Sequence, residues 1–108
     1  MINSREKGKR GEREIAHLLR EAGFEARRGQ QFKGGGDSPD LITSLPFHCE
    51  VKLRERIDIY GSLSRAREEA EHWPPLLIHR RSRSDWHATL FFRDLLVLVR
   101  CADPELGP

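Results

Sequence analysis

The chain has 108 residues, 33% of them charged, and a net charge of only +2. That length suits one domain with a modest core, and the small net charge excludes a polycation that coats nucleic acid by bulk charge alone. Cys49 and Cys101 cannot build a disulfide framework and suit a reducing cytoplasm, no apolar run approaches membrane-spanning length, and the N-terminus lacks a signal-peptide profile.

Asn3, with Glu6 three residues on, forms a capping box for a first helix predicted to run to about Ala22, where Gly23 is a natural C-cap. Ile15, Leu18, Leu19 and Ala22 make its apolar stripe, extended toward the N-terminus by Gly8 and Gly11. Glu12 and Glu14 flank opposite edges of that stripe, so periodicity lets either reach inward, while Arg13 points away. Phe24 to Arg28 reads as the first strand. The stretch from Gly29 to Asp37 contains three consecutive glycines and is a loop, either a connector or a segment able to close over a bound partner. Leu41-Ile42 forms a second short strand, and Ser44-Leu45-Pro46 is the turn that follows.

From Phe47 to Arg54 apolar and polar residues alternate strictly, the period of a strand with one face in a core. Phe47, Cys49, Val51 and Leu53 face inward, and Glu50 and Lys52 stand together on the other face. Ser62 is placed as the cap of a second helix bearing Leu63, Ala66, Ala70 and Trp73, stopped by Pro74-Pro75. Leu76 to Ile78 and Trp86 to Phe92 read as strands, and Arg93 to Arg100 as a short helix carrying Leu95 to Val99. A frayed tail over 102–108 leaves a single domain over 1–101. The order α-β-β-β-α-β-β-α implies an α/β fold with a mixed β-sheet flanked by helices.

The pattern that carries chemistry is Ser38-Pro39-Asp40 followed by Cys49-Glu50-Val51-Lys52. An antiparallel pairing of their strands can bring Asp40 beside Glu50. Neighbouring carboxylates repel, and a hard divalent cation with oxygen ligands relieves that repulsion. A lysine beside the cation could position or deprotonate a water, the combination used in metal-assisted phosphodiester hydrolysis. Basic residues crowd the first third, Arg10, Arg13, Arg28 and Lys33 among them, and recur in His79-Arg80-Arg81-Ser82-Arg83. Both clusters suit phosphate contacts.

Pro39-Asp40 with Glu50-Val51-Lys52 resembles the PD-(D/E)XK nuclease signature. Lys7-Gly8-Lys9-Arg10-Gly11-Glu12-Arg13-Glu14-Ile15 and Gly23-Phe24-Glu25-Ala26-Arg27-Arg28 resemble the first helix and following segment of the archaeal-type Holliday junction resolvases. Tyr60 falls where that family tends to place a tyrosine. The resemblance implies a restriction-endonuclease-like fold and a Mg²⁺-dependent, structure-selective DNA endonuclease, with Mn²⁺ able to substitute. Such an enzyme resolves four-way junctions by paired symmetric cuts. Its partner is branched DNA rather than a membrane, and the two-fold symmetry of a junction implies a C2 homodimer. The dimer surface would draw on Leu95 to Val99 or on the exposed face of the Ala66–Trp73 helix.

By the same resemblance, Asp40 and Glu50 hold the metal with the Val51 backbone carbonyl, and Lys52 orients the attacking water. The resemblance selects Glu12 over Glu14 to complete the site, directly or through a water. Arg13 and Arg28 match positions that contact DNA, and Arg10 and Lys33 are assigned with them. Asp37 is an alternative carboxylate. Tyr60 and Trp86 could stack on an exposed base, against the commoner role of closing an element end inside the core. The chain departs from the family in carrying Gly29-Gln30-Gln31 where a serine is usual, and Arg65 where many PD-(D/E)XK nucleases place a glutamine. Two other functions fit the residues: a nicking or flap-type repair nuclease of the same superfamily, and a DNA-binding module with a vestigial site.

Overall fold

The computed structural model describes residues 4–29 and 39–106. Its elements follow the order that the periodicities predict: α1 (Ser4–Glu21), β1 (Ala26–Arg28), β2 (Leu41–Thr43), β3 (His48–Leu53), α2 (Ile59–Glu69), β4 (Pro75–Arg80), β5 (His87–Thr89) and α3 (Phe92–Ala102). A short 3₁₀ turn, Pro104–Leu106, follows. The capping residue Asn3 and most of the glycine loop, with Lys33 and Asp37, lie outside the described residues.

The strands form one sheet in the order β1-β2-β3-β4-β5. β3 and β4 are parallel and joined through α2, and every other neighbouring pair is antiparallel. Cys49 and Val51 of β3 face α1, where they join Ile15, Ala16, Ala26, Leu41, Leu76 and Ile78 in the core. Fully burying an aliphatic side chain of this kind contributes about 1.5–3 kcal/mol. The opposite face of β3 carries His48, Glu50 and Lys52, and Glu69 of α2 lies over it.

α1 is rotated slightly from the stripe that its sequence suggests. Gly11, Ile15 and Ala16 are buried and Leu19 packs against the core, whereas Leu18 is 47% exposed and Ala22 is also exposed. The helix ends at Gly23, whose φ of +96° only glycine adopts readily. The Phe24 amide closes the turn on the Leu19 carbonyl at 2.9 Å.

The two glycines of the stripe differ. A Cβ on Gly11 would meet Leu53 Cβ at 3.1 Å and the Trp86 ring at 3.3 Å, so helix and sheet approach closely there. A Cβ on Gly8 would meet nothing within 4 Å. Gly8→Ala is therefore expected to raise stability by about 1 kcal/mol through helix propensity alone. Gly11→Ala is expected to lower it by a similar or larger amount through overpacking. Thermal unfolding of the two variants side by side checks both signs.

α2 begins earlier than Ser62. Asp58 is its N-cap, with Oδ1 accepting the Gly61 amide at 3.0 Å, and a Cβ on Gly61 would collide with that carboxylate. Ser62 is thus a buried residue of the first turn rather than the cap. The helix stops at Glu69, so Trp73 lies beyond it and is 58% exposed. β1 and β5 are each three residues long, shorter than the apolar runs suggest. α3 carries Asp94 in its first turn and Arg100 in its last, complementing the helix dipole, yet it buries none of its residues. At the approach to α3, the Arg67 guanidinium of α2 sits 4.5 Å from the centre of the Phe91 ring.

Both cysteines are free, Cys49 buried and Cys101 exposed. Burial, reinforced by the charges of Glu50 and Asp40, pushes the Cys49 thiol up to about 12, so it stays protonated and inert. A thiol reagent such as dithionitrobenzoate is expected to label one cysteine quickly in the native protein and the second only after denaturation.

Candidate active site

Asp40 ends the approach to β2. Its amide donates to the Cys49 carbonyl at 3.0 Å, and its Oδ2 accepts the Val51 amide at 2.8 Å. The side chain is thereby fixed at 7% exposure. Leu41 pairs with Cys49 across the strands, which sets Asp40 opposite Glu50. The N–H and C=O of one strand residue project from the same edge. The Val51 carbonyl therefore faces the edge from which its amide reaches Asp40.

Glu50 has charged neighbours on both sides. Burial, then the charge of Asp40 and its hydrogen bond to Glu50, then the charge of Glu69, raise its carboxyl well above the usual carboxylate range, and Lys52 only partly opposes them. His48 Nε2 lies 3.0 Å from Glu50 Oε1, and the His48 side chain is only 7% exposed. His48, Glu50 and Glu69 bring one ligand atom each to within 4.8 Å of one another.

Neither His48 nor Glu69 was singled out by the sequence. The signal for His48 was present, because the alternation that turns Glu50 and Lys52 outward places His48 on the same face. Glu69 gave a weaker signal: it follows the buried Ala66 by three residues and so lies at the edge of the α2 face that meets the sheet, where an acidic side chain reads equally as solvated.

The two glutamates flanking the α1 stripe have different surroundings. Glu14 accepts from Arg80 Nη2 at 3.0 and 2.9 Å and from the Trp86 indole at 3.2 Å. Arg80 also lies over the Trp86 ring, 4.9 Å from its centre. Glu12 faces the other way, its Oε1 accepting from Arg28 Nε at 2.9 Å. Burial raises the Glu12 carboxyl, the hydrogen bond from Arg28 opposes that rise, and the charge of Asp40 adds to it. Glu12, Asp40, Glu50 and Lys52 thus share one electrostatic neighbourhood, with His48 and Glu69 also beside Glu50.

The cationic residues are spread more widely. Arg13 and Arg10 lie on α1, Arg13 exposed and close enough to oppose the rise at Glu12, Arg10 3.9 Å from Glu14. Arg28 is tied to Glu12, and Lys33 lies outside the described residues. Tyr60 stands 89% exposed on the first turn of α2, whereas Trp86 closes over Gly11 against the core.

The donor set fits a hard divalent cation. Glu50 lies beside Asp40 and shares a cluster with His48 and Glu69 whose ligand atoms lie within 4.8 Å of one another, and the largest upward shift among the carboxyls falls on Glu50.

A mixed five-stranded sheet flanked by helices, with this carboxylate corner at the β2–β3 edge, defines an α/β fold of the restriction-endonuclease type. The family model described as archaeal Holliday junction resolvase matches residues 3–71, and the chain belongs to that family. Its members are endonucleases of DNA recombination and depend on metal for cleavage. The fold is shared with the solved structure of Archaeoglobus fulgidus Hjc, described as a Holliday junction resolvase from an archaeal hyperthermophile. That likeness has a TM-score of 0.56 and 21% identity, covering 77% of this chain and 76% of the other. No curated protein matches the chain.

Proposed function

We propose that this resolvase cuts four-way DNA junctions by Mg²⁺-dependent hydrolysis at the Asp40–Glu50 corner, making paired symmetric nicks as a C2 homodimer. The observation that carries this reading is the pairing of Asp40 opposite Glu50, with burial and mutual charge raising the Glu50 carboxyl. Asp40, Glu50 and the Val51 carbonyl would hold the ion, with Glu12 completing the set directly or through a water. When bound, the ion supplies charge neutralisation at the phosphate and a more acidic water.

The chain's own groups do the rest. The Val51 amide keeps Asp40 in one orientation, and Arg28 does the same for Glu12. Lys52, two residues from Glu50 on the same face, orients the attacking water and balances charge on the phosphate. Water oxygen bonds to phosphorus as the bond to the 3′ oxygen breaks, leaving a 5′-phosphate and a 3′-hydroxyl. Arg10, Arg13, Arg28 and Lys33 serve the DNA backbone, and Arg28 exchanges part of its bond to Glu12 for phosphate. Mn²⁺ substitutes readily, since carboxylate, carbonyl and water oxygens suit it as they suit Mg²⁺.

The dimer reading rests on α3. Leu95, Leu96, Val97 and Val99 are 39–58% exposed on a helix that buries nothing of its own, the kind of apolar surface that a second copy covers. A reducing cytoplasm suits the free thiols, and no helix among the described residues is long and apolar enough to cross a membrane.

The test is incubation with a labelled immobile junction beside an equal-length duplex in Mg²⁺. Symmetric nicks in the junction alone are expected. Equal cutting of both would leave a nuclease without junction selectivity, and preference for nicked or flapped duplex would favour the repair-nuclease reading. Sedimentation should give a dimer at micromolar concentration, and a strict monomer contradicts the paired-cut form.

A further inference from the structure

The second basic cluster, His79 to Arg83, is not used by the metal corner, yet the sheet carries it there. Lys52 pairs with His79 across β3–β4, and His79 pairs with His87 across β4–β5. Residues paired across a ladder project from the same face. Lys52, His79 and His87 therefore form one row on the face that bears Glu50, leading away from the reaction centre toward the sheet edge. Strands lie about 4.8 Å apart, so the row extends roughly 10 Å beyond Lys52.

That row ends in a cavity of about 340 Å³ whose walls include Glu55, Ile57, Ile59, His79, Arg81 and His87. The two imidazoles are stacked, ring centres 5.7 Å apart and planes within 19°. His79 is anchored, its Nε2 lying 2.8 Å from Thr89 Oγ1. Arg80 is committed to Glu14 on the other face. Arg81 is exposed and makes no ion pair among the described residues. The one carboxylate in the wall, Glu55, is bound by Ser82 and by Lys7, which lies 3.3 Å away. An anion entering the cavity thus meets an available guanidinium and imidazole donors, without a competing free acid. Burial and the neighbouring His87 hold the His79 pKa down, so the fixed charge belongs to Arg81.

We infer that this cavity holds a backbone phosphate of the cleaved strand, one flanking the scissile phosphate, with Arg81 supplying the charge and His87, aligned by His79, a ring N–H. The inference rests on the resolvase reading and gives that reading a strand direction, across β4 and β5 from Lys52. Its role is to position the strand rather than to act on the reacting atoms.

The test pairs Arg81→Gln and His87→Gln with junctions in which single linkages beside the cut are made neutral methylphosphonates. Arg81→Gln is expected to weaken junction binding about tenfold and to lower the slope of log affinity against log salt by about 1. One neutral linkage should cost the wild type a comparable factor and cost Arg81→Gln nothing further, while other linkages cost both equally. His87→Gln should show the same silence at the same linkage with a smaller loss of its own. Independent losses at every linkage, or an unchanged salt slope, overturn the inference while leaving the resolvase reading intact. A wild type that does not cut the junction overturns both.

Discussion

Asp40→Asn is expected to reduce junction cleavage on the order of 1,000-fold or more while leaving the protein folded and able to bind junctions. The side chain is buried and takes the Val51 amide at 2.8 Å, so two effects must be separated. Asparagine can still accept that amide through its own carbonyl oxygen, which preserves the β2–β3 corner. It removes the negative charge that makes the oxygen a ligand for a hard cation. Metal stabilisation of charge in the transition state contributes several kcal/mol, and each ~1.4 kcal/mol is tenfold in rate. Asp40→Ala should lose activity equally but also cost about 1–3 kcal/mol of stability, because it orphans a buried amide. Single-turnover cleavage and thermal unfolding of the two variants distinguish these effects. An Asn variant with near-normal cleavage would remove Asp40 from the site.

Glu50→Gln is expected to do something less intuitive: abolish cleavage and stabilise the metal-free protein. The folded chain holds the Glu50 carboxyl well above its ordinary value, chiefly by burial and then by Asp40 and Glu69. The folded protein therefore keeps a proton there that the unfolded chain has already released. The resulting cost to folding is absent at about pH 4, near the ordinary carboxylate value, and grows as pH rises toward the raised folded value. Glutamine removes that cost. Near neutral pH it should raise stability by about 1–2 kcal/mol, a Tm gain of several degrees, with little change at about pH 4. Saturating Mg²⁺ should raise the Tm of the wild type and do little for the variant. A variant less stable than the metal-free wild type near neutrality would mean that the corner is not electrostatically strained. Such a gain in stability at the expense of activity is the usual mark of a functional site.

The β3 strand was the most legible part of this molecule. Its alternation is a local, period-two signal, and Cys49, Val51 and Leu53 are buried where that signal places them. The pairing of Asp40 with Glu50 follows from strand order and a short turn, both also local. What the sequence left open depended on distant partners or on helix phase. Glu12 and Glu14 flank the same stripe, and the feature that separates them is Arg80, 66 residues beyond Glu14. Glu69 reaches His48 and Glu50 because α2 packs across that face of the sheet, a tertiary placement. The sequence reading sets the cap at Ser62 and carries Trp73 into the helix, whereas α2 runs from Ile59 and ends before Trp73. The site is thus half local pattern and half tertiary placement, and His48 belongs to the first half.

The central claim is that one metal corner, duplicated in a dimer, makes two matched cuts in a single encounter with a junction. A supercoiled plasmid extruding a cruciform tests this directly, because paired cuts across the junction before release linearise the circle. The account predicts linear product from the start of the reaction in Mg²⁺, with no accumulation of nicked circle and no product from Asp40→Asn. Nicked circle accumulating first, with linear DNA appearing only later, would contradict it.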